Sequence, residues 1–193
     1  MTIVTSFYTP EWKYPEYATQ LSLDCERLGL DYHIVEKKSY DDYRKNCNIK
    51  PLFIRETLEK FKKPIFWMDV DGGIITKPDL LFSDDIMNYD IAANHSVNQV
   101  DRIHVGSIWF NYSKRTMKFV NAWCDEIAKG GIDDGIFNIV WKKFSEELKL
   151  FELPSNYFVL LKIPGEPIPE DACIIHRLSD SLLKSKHKQR RKK

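Results

Sequence analysis

Ile65-Phe66-Trp67-Met68-Asp69-Val70-Asp71-Gly72-Gly73 is the stretch on which the reading of this chain turns. Four apolar residues in a row read as a buried strand, and they run without a break into two acids and two glycines. Asp69 and Asp71 are two apart on an extended segment, so their side chains are expected to project to the same side. Two carboxylates sharing one site repel unless a cation neutralises them. Oxygen-rich pairs of this kind suit hard divalent ions, Mg²⁺ or Mn²⁺, with positions left open for phosphate oxygens. Gly72 and Gly73 are expected to let the backbone turn tightly and a bulky ligand come close. The bland alternative is a turn with two solvated acids; the apolar run leading straight into them argues for a site.

Upstream, Ile3 to Tyr8 reads as a strand closed by Thr9-Pro10. Pro15 opens a helix on which Tyr17, Leu21 and Leu28 share a face until Gly29 stops it, and Tyr32 to Val35 is a second strand. From Pro51, residues Leu52, Ile54, Leu58 and Phe61 outline another helix, ended by Lys62-Lys63-Pro64. Downstream, Ile91 to Ala93 and Val105 to Phe110 are strands, Thr116 to Ala128 and Gly135 to Phe144 helices. A last strand, Ala172 to Ile175, ends at His176. Strands alternating with helices predict an α/β domain with a mostly parallel central sheet flanked by helices. Ligands in such folds lie beyond the carboxyl ends of the strands, where Asp69 and Asp71 fall. Trp109, Trp123 and Trp141 are expected in the core; Trp12, in a polar loop, is held as a stacking platform.

At 193 residues the chain has room for one domain, and 43% hydrophobic with 30% charged residues argues against global disorder. No run approaches the ~18 uncharged residues that a membrane span needs. The start, Met-Thr-Ile-Val-Thr-Ser-Phe-Tyr, has neither the basic segment nor the small-residue cleavage site of a secretory leader. Cys25, Cys47, Cys124 and Cys173 show no Cys-x-x-Cys spacing, which reads as free thiols in a reducing compartment. The expected location is the cytoplasm, that of the host in a viral setting. Seven of the 29 basic residues lie in Lys184 to Lys193; the remainder carries 22 basic against 28 acidic residues, a net −6. The expected organisation is a domain over residues 1–183 and a disordered basic tail over 184–193. An acidic body argues against nucleic acid as a partner, and the tail leaves peripheral contact with an anionic membrane as an alternative.

Met68-Asp69-Val70-Asp71-Gly72-Gly73 resembles two families. In GT-A glycosyltransferases an Asp-x-Asp after a strand holds the metal bound to a nucleotide-sugar diphosphate. In haloacid-dehalogenase-like phosphatases a strand leads into Asp-x-Asp-Gly, with the first acid as nucleophile. The phosphatase motif sits on the first strand of its fold, whereas here a βαβ unit and a helix precede it. Gly106-Ser107-Ile108-Trp109-Phe110-Asn111 resembles the glycine, apolar strand and Phe-Asn segment of nucleotide-diphospho-sugar transferases. Asp133-Asp134-Gly135-Ile136-Phe137-Asn138 matches their Asp-Gln-x-x-Phe-Asn with Asp134 in place of Gln, and Ile174-Ile175-His176 resembles the late strand that ends in a metal-ligating histidine. The resemblance runs from Ile3 to His176 and points to a compact GT-A glycosyltransferase of the kind found in large DNA viruses and bacteria.

That resemblance implies a divalent metal, Mn²⁺ or Mg²⁺, on Asp69, Asp71 and His176, with Asp69 alternatively on the ribose. It implies a nucleotide-sugar donor, UDP being the favoured nucleotide, and a hydroxyl of a glycan or other acceptor. Thr5 and Tyr8 take the position that grips the base; Lys50 and Arg55 are candidates to reach base or phosphates, against a plain surface role. Asn94, His95 and Asn111 are expected at strand ends beside the donor sugar. Asp133 is the preferred general base and Asp134 its neighbour, with N-capping of the helix as the alternative for either. The competing functions are the phosphatase, with Asp69 as nucleophile, and a non-catalytic nucleotide-sugar-binding domain.

Overall fold

The run from Ile65 to Met68 forms strand β3, and all four side chains are buried, alternately against opposite faces of the sheet. A strand covered on both sides has no solvent face to make polar, which is why the sequence there is continuously apolar. The computed structural model describes residues 1–96, 99–163 and 165–177. The basic tail expected over 184–193 lies outside the described residues.

Around β3 the chain runs β1 (Ile3–Tyr8), α1 (Tyr14–Leu28), β2 (Tyr32–Glu36), α2 (Tyr43–Cys47), α3 (Ile49–Phe61), then β3 and β4 (Gly72–Ile74). It continues with β5 (Ile91–Ala93), the small hairpin β6 (His95–Ser96) and β7 (Gln99–Ile103), and β8 (Ser107–Phe110). Helices α4 (Lys114–Ile127) and α5 (Asp133–Phe144) follow, then β9 (Leu150–Glu152), β10 (Val159–Leu161) and β11 (Ile174–Arg177). The central sheet has the order β2-β1-β3-β8-β5-β9, and only β8 runs against its neighbours. One face packs on α3, α4 and α5 through Phe53, Phe119, Trp123, Phe137 and Trp141; the other packs on α1 and the segment from Leu81 to Ile86. Trp109, Trp123 and Trp141 are core residues, as expected.

Local chemistry sets the helix bounds. Gly29, left-handed at φ 65°, returns its N–H to Cys25 and Glu26 and closes α1. Helix α4 begins two residues before the expected Thr116 because the Ser113 hydroxyl caps the Thr116 N–H. Helix α5 likewise starts at Asp133, ahead of Gly135.

The double glycine departs from expectation. The turn is centred on Val70 and Asp71, with the Gly72 N–H on the Asp69 carbonyl at 2.9 Å. Asp71 therefore sits in a turn and not on an extended segment. Gly72 and Gly73 begin β4, which pairs antiparallel with β11 in a second sheet, β10-β11-β4. A Cβ on Gly72 would lie 2.5 Å from Met68 Cε and 3.2 Å from the carbonyls of Asp69 and Ile175. The glycine is there so that β4 can pass close over β3 and β11.

Candidate active site

Strands β1, β3 and β5 end at one edge of the central sheet, and β8, running the other way, begins there: Met68 pairs with Ser107. Asp69 leaves β3 at that edge with its N–H on the Gly106 carbonyl at 2.6 Å. Its Oδ1 accepts from Lys50 Nζ at 2.9 Å and from Trp67 Nε1 at 3.2 Å. Trp67 is two residues back, on the same face of the strand.

Lys50, in the first turn of α3, is the hub of the site. It is 5% exposed, and its ammonium meets Asp69, Asp133 Oδ2 at 2.7 Å and the Val105 carbonyl at 3.3 Å. An ammonium has three donors, and here three acceptors take them. Burial alone would depress this lysine's pKa, but the carboxylates of Asp133 and Asp69 outweigh it and raise the value, so the ammonium stays charged. Asp69 moves up, chiefly by burial, with Asp71 and Asp133 adding like charge and Lys50 opposing them. The surface alternative for Lys50 is thereby excluded. Arg55, on another face of α3, acts on Cys124 of α4 and lies away from this edge.

His176, at the end of β11, faces the same region. Its Nε2 and the Ser107 hydroxyl are 3.1 Å apart, which leaves Nδ1 toward Gly106. A Cβ on Gly106 would lie 3.1 Å from His176 Nδ1 and 3.6 Å from Asp69 Oδ2. The missing side chain thus leaves a gap walled by an imidazole nitrogen and a carboxylate oxygen. Burial holds the His176 pKa down, to about 4, against the pull of Asp71, so the ring is neutral and able to donate a lone pair. Among the described residues no three His, Cys, Asp or Glu side chains converge tightly enough to hold a metal ion. The donor set itself, a carboxylate oxygen and a neutral imidazole nitrogen on one gap with a second carboxylate acting on both, fits Mn²⁺ or Mg²⁺.

The two acids at the start of α5 are not caps: the N-cap residue is Ile132, and no side chain caps the helix. Asp133, 5% exposed, is bound to Lys50. Asp134 is half-exposed, pairs with Arg102 and accepts from Asn138 Nδ2. Both carboxylates also complement the positive end of the helix dipole.

Other expected site residues are spent on structure. Thr5 is fully buried and donates to the His33 carbonyl at 3.2 Å, so its hydroxyl serves the sheet. Tyr8 ends β1 with its phenol raised by partial desolvation and by a hydrogen bond to Glu36. Asn94 is at the site edge, but its amide donates to the carbonyls of Leu153 and Pro154, leaving Oδ1 buried without a partner. His95 pairs with Glu152 through Nδ1 at 3.1 Å. Asn111 is at the wrong edge: β8 is antiparallel to β3, so its end lies beside Ile65, where Asn111 donates to the carbonyls of Met87 and Tyr89. Trp12, left-handed at φ 57°, packs edge-on against Tyr14 and Tyr17.

Sequence reading did not find Ser107, Trp67, His104 or Phe158. It also missed Arg177, whose Nη1 donates to the carbonyls of Asp71 and Gly72 at 3.0 and 3.1 Å. Trp67 was legible in principle, two residues before an acid on a strand; the others depend on contacts far apart in the chain.

A six-stranded sheet with one reversed strand, a carboxylate turn after β3 and a histidine strand laid over that turn define an α/β protein with the GT-A-like glycosyltransferase fold. Solved structures agree. A glycosyltransferase involved in glycosylating the major capsid of PBCV-1 superposes with TM-score 0.69 at 15% identity, covering 91% of each chain. The glycosyltransferase GlyE of Streptococcus pneumoniae TIGR4 gives 0.59 at 14% identity over 91% of this chain and 54% of its own. The galactosyltransferase LgtC, solved with donor and acceptor sugar analogs, gives 0.58 at 11% identity over 92% and 87%. No sequence-family model matches the chain, and no curated protein sequence matches it significantly. The phosphatase alternative would need the carboxylate pair after the first strand, and it follows the third in chain order.

Proposed function

We propose that this chain is a metal-dependent glycosyltransferase that moves a sugar from a nucleotide-diphosphate sugar, UDP the favoured nucleotide, to a hydroxyl of a glycan or other acceptor. The observation that carries the reading is the gap beside Gly106, which Asp69 Oδ2 and His176 Nδ1 both face at the ligand edge of this fold. Asp69, Asp71 and His176 are the residues that would hold a divalent cation. Such an ion, when bound, supplies the Lewis acidity that neutralises a leaving diphosphate.

The protein's own groups do the rest. Lys50 holds Asp69 and Asp133 in register while its ammonium is fully occupied, so it organises the site and does not reach for phosphate. Asp133, beside Asp69, faces the donor sugar. Its Oδ2 is engaged by the Lys50 ammonium at 2.7 Å, which favours holding sugar hydroxyls over deprotonating the acceptor. Asp134 is the more open of the two acids and is held by Arg102 and Asn138. Four unpaired cysteines support a reducing compartment, and no helix among the described residues is long and apolar enough to cross a membrane.

The test is thermal-shift screening of UDP-, GDP- and CMP-sugars with and without Mn²⁺. A bound donor stabilises by mass action, about 2.7 kcal/mol at a hundredfold excess over Kd. No shift with any of them overturns the proposal. Asp133→Asn then assigns the acid: a higher donor KM together with lower kcat marks a sugar-holding carboxylate. A loss of ~10²–10⁴ in kcat at unchanged donor affinity marks a general base.

A further inference from the structure

Phe158 lies between two imidazoles. Its ring stacks on His104 at 4.0 Å between centroids and 10° between planes, and on His176 at 4.3 Å and 25°. The backbone on either side is pinned: Tyr157 accepts the Leu80 N–H on its phenol, and Val159 pairs with Ile175.

His104 is held with equal care. Its N–H donates to the Asn94 carbonyl at 2.9 Å, and the peptide groups of its neighbour Ile103 are bracketed by the Asn138 amide at 2.8 and 3.1 Å. The ring is half-exposed, two residues from Gly106, and among the described residues it makes no hydrogen bond. Desolvation lowers its pKa, with Asp134 opposing and Arg102 assisting, so at neutral pH it offers one donor and one acceptor. Stacking on Phe158 fixes the plane of the imidazole, and both nitrogens lie within that plane.

A half-exposed polar ring held in plane by Phe158, with no hydrogen bond among the described residues and only that phenyl ring between it and His176, is placed to meet a ligand. Sugar hydroxyls both donate and accept, as does a neutral imidazole. We propose that His104 contacts the hydroxyls of the donor sugar and that Phe158 is the positioning residue that fixes it, one face on His104 and the other on His176. The inference rests on the glycosyl-transfer reading and deepens it, since it names the group that separates donor sugar from bare nucleotide.

The experiment compares binding of UDP-glucose, UDP-galactose and UDP-N-acetylglucosamine with binding of UDP alone, in Mn²⁺, for the wild type, His104→Ala, Phe158→Leu and Phe158→Tyr. His104→Ala and Phe158→Leu are expected to shrink the preference for UDP-sugar over UDP about tenfold, the worth of one hydrogen bond. Both should leave the Kd for UDP nearly unchanged, and Phe158→Tyr, which keeps the aromatic face, should retain the wild-type preference. In NMR spectra the upfield ring-current shifts of the His104 and His176 Hε1 protons should vanish in Phe158→Leu and persist in Phe158→Tyr. A wild-type preference in both His104→Ala and Phe158→Leu overturns the inference alone. A wild type that binds no nucleotide-sugar at all overturns the function it rests on, whatever the NMR shifts show.

Discussion

The two edges of the central sheet each carry an aspartate held by several donors, and they treat it in opposite ways. At the edge away from the site, Asp90 is 1% exposed and accepts from Ser113 Oγ, Arg115 Nε and the Lys149 N–H at 2.9 to 3.0 Å. Burial alone would raise its pKa, but the Lys149 N–H, Arg115 and Ser113 together hold it below the ordinary carboxylate value. At the site edge, Asp69 and Asp133 share a single lysine with Asp71 adding like charge, and Asp69 is pushed up, chiefly by burial. At one edge the surroundings lower the carboxylate's pKa; at the other they raise it. A fold gains nothing from the second arrangement unless something else completes it, and that is how the site edge can be told from the structural one.

The largest effect should come from removing the cation that now holds the crowded edge together. Lys50→Met leaves Asp133 buried and unpaired beside Asp69 and should cost roughly 3–5 kcal/mol of unfolding free energy. Denaturant titration checks it, and Asp133→Asn in the same chain should recover part of the loss; strict additivity would mean the pair is not coupled. Asp71→Ala removes a like charge from beside Asp69. It should abolish Mn²⁺-dependent donor binding and lower kcat by about 10²–10³ or more, with an unchanged or raised melting temperature in the absence of metal. Retention of more than a few per cent of turnover would show that Asp71 is not a ligand.

Gly106→Ala sharpens the contrast, because it touches no charge. His176 is stacked and hydrogen-bonded, so it cannot retreat from a methyl 3.0 Å from its Cε1. Mn²⁺ affinity, read by calorimetry, should fall about 10–100-fold. At the opposite edge Asp90→Asn should do the reverse: specific activity unchanged, stability down by about 1–3 kcal/mol, since an amide sets an N–H₂ against groups that donate. For a chain of this size each lost kcal/mol is about 2–4 °C in melting temperature. Its pH dependence follows from a folded pKa below the unfolded one. The wild-type advantage over Asp90→Asn should be complete above the ordinary carboxylate pKa and disappear as pH falls through the lowered value.

Reading the sequence reached the site edge by way of its strand. Ile65 to Met68 is apolar because it is covered on both faces, and that pattern is local, as are the periodicities of α1, α3, α4 and α5. Strands β4, β9 and β10 have three residues each and exist only through partners far along the chain, so no periodicity announces them. Lys50 carried no sign of burial because its three acceptors come from Asp69, Val105 and Asp133. Asn111 was placed at the wrong edge for a reason of direction: a strand's carboxyl end marks the ligand side only while the strands run parallel. His104 and Phe158 needed the sheet to be folded before either could be seen as a neighbour of His176.

The covering strand has a consequence for the order in which the molecule is made. Asp71 and Gly72 are bound by β11, whose Arg177 and His176 lie more than a hundred positions later in the chain. During synthesis, β1, β3 and β8 can pair, and α3 can dock, while the acidic turn still has nothing above it. Closing so long a loop is slow and comes with little local reward. Assembly of the candidate site therefore waits on β11, so a chain halted before that strand is expected to hold most of its core and to lack the His176 side of the gap.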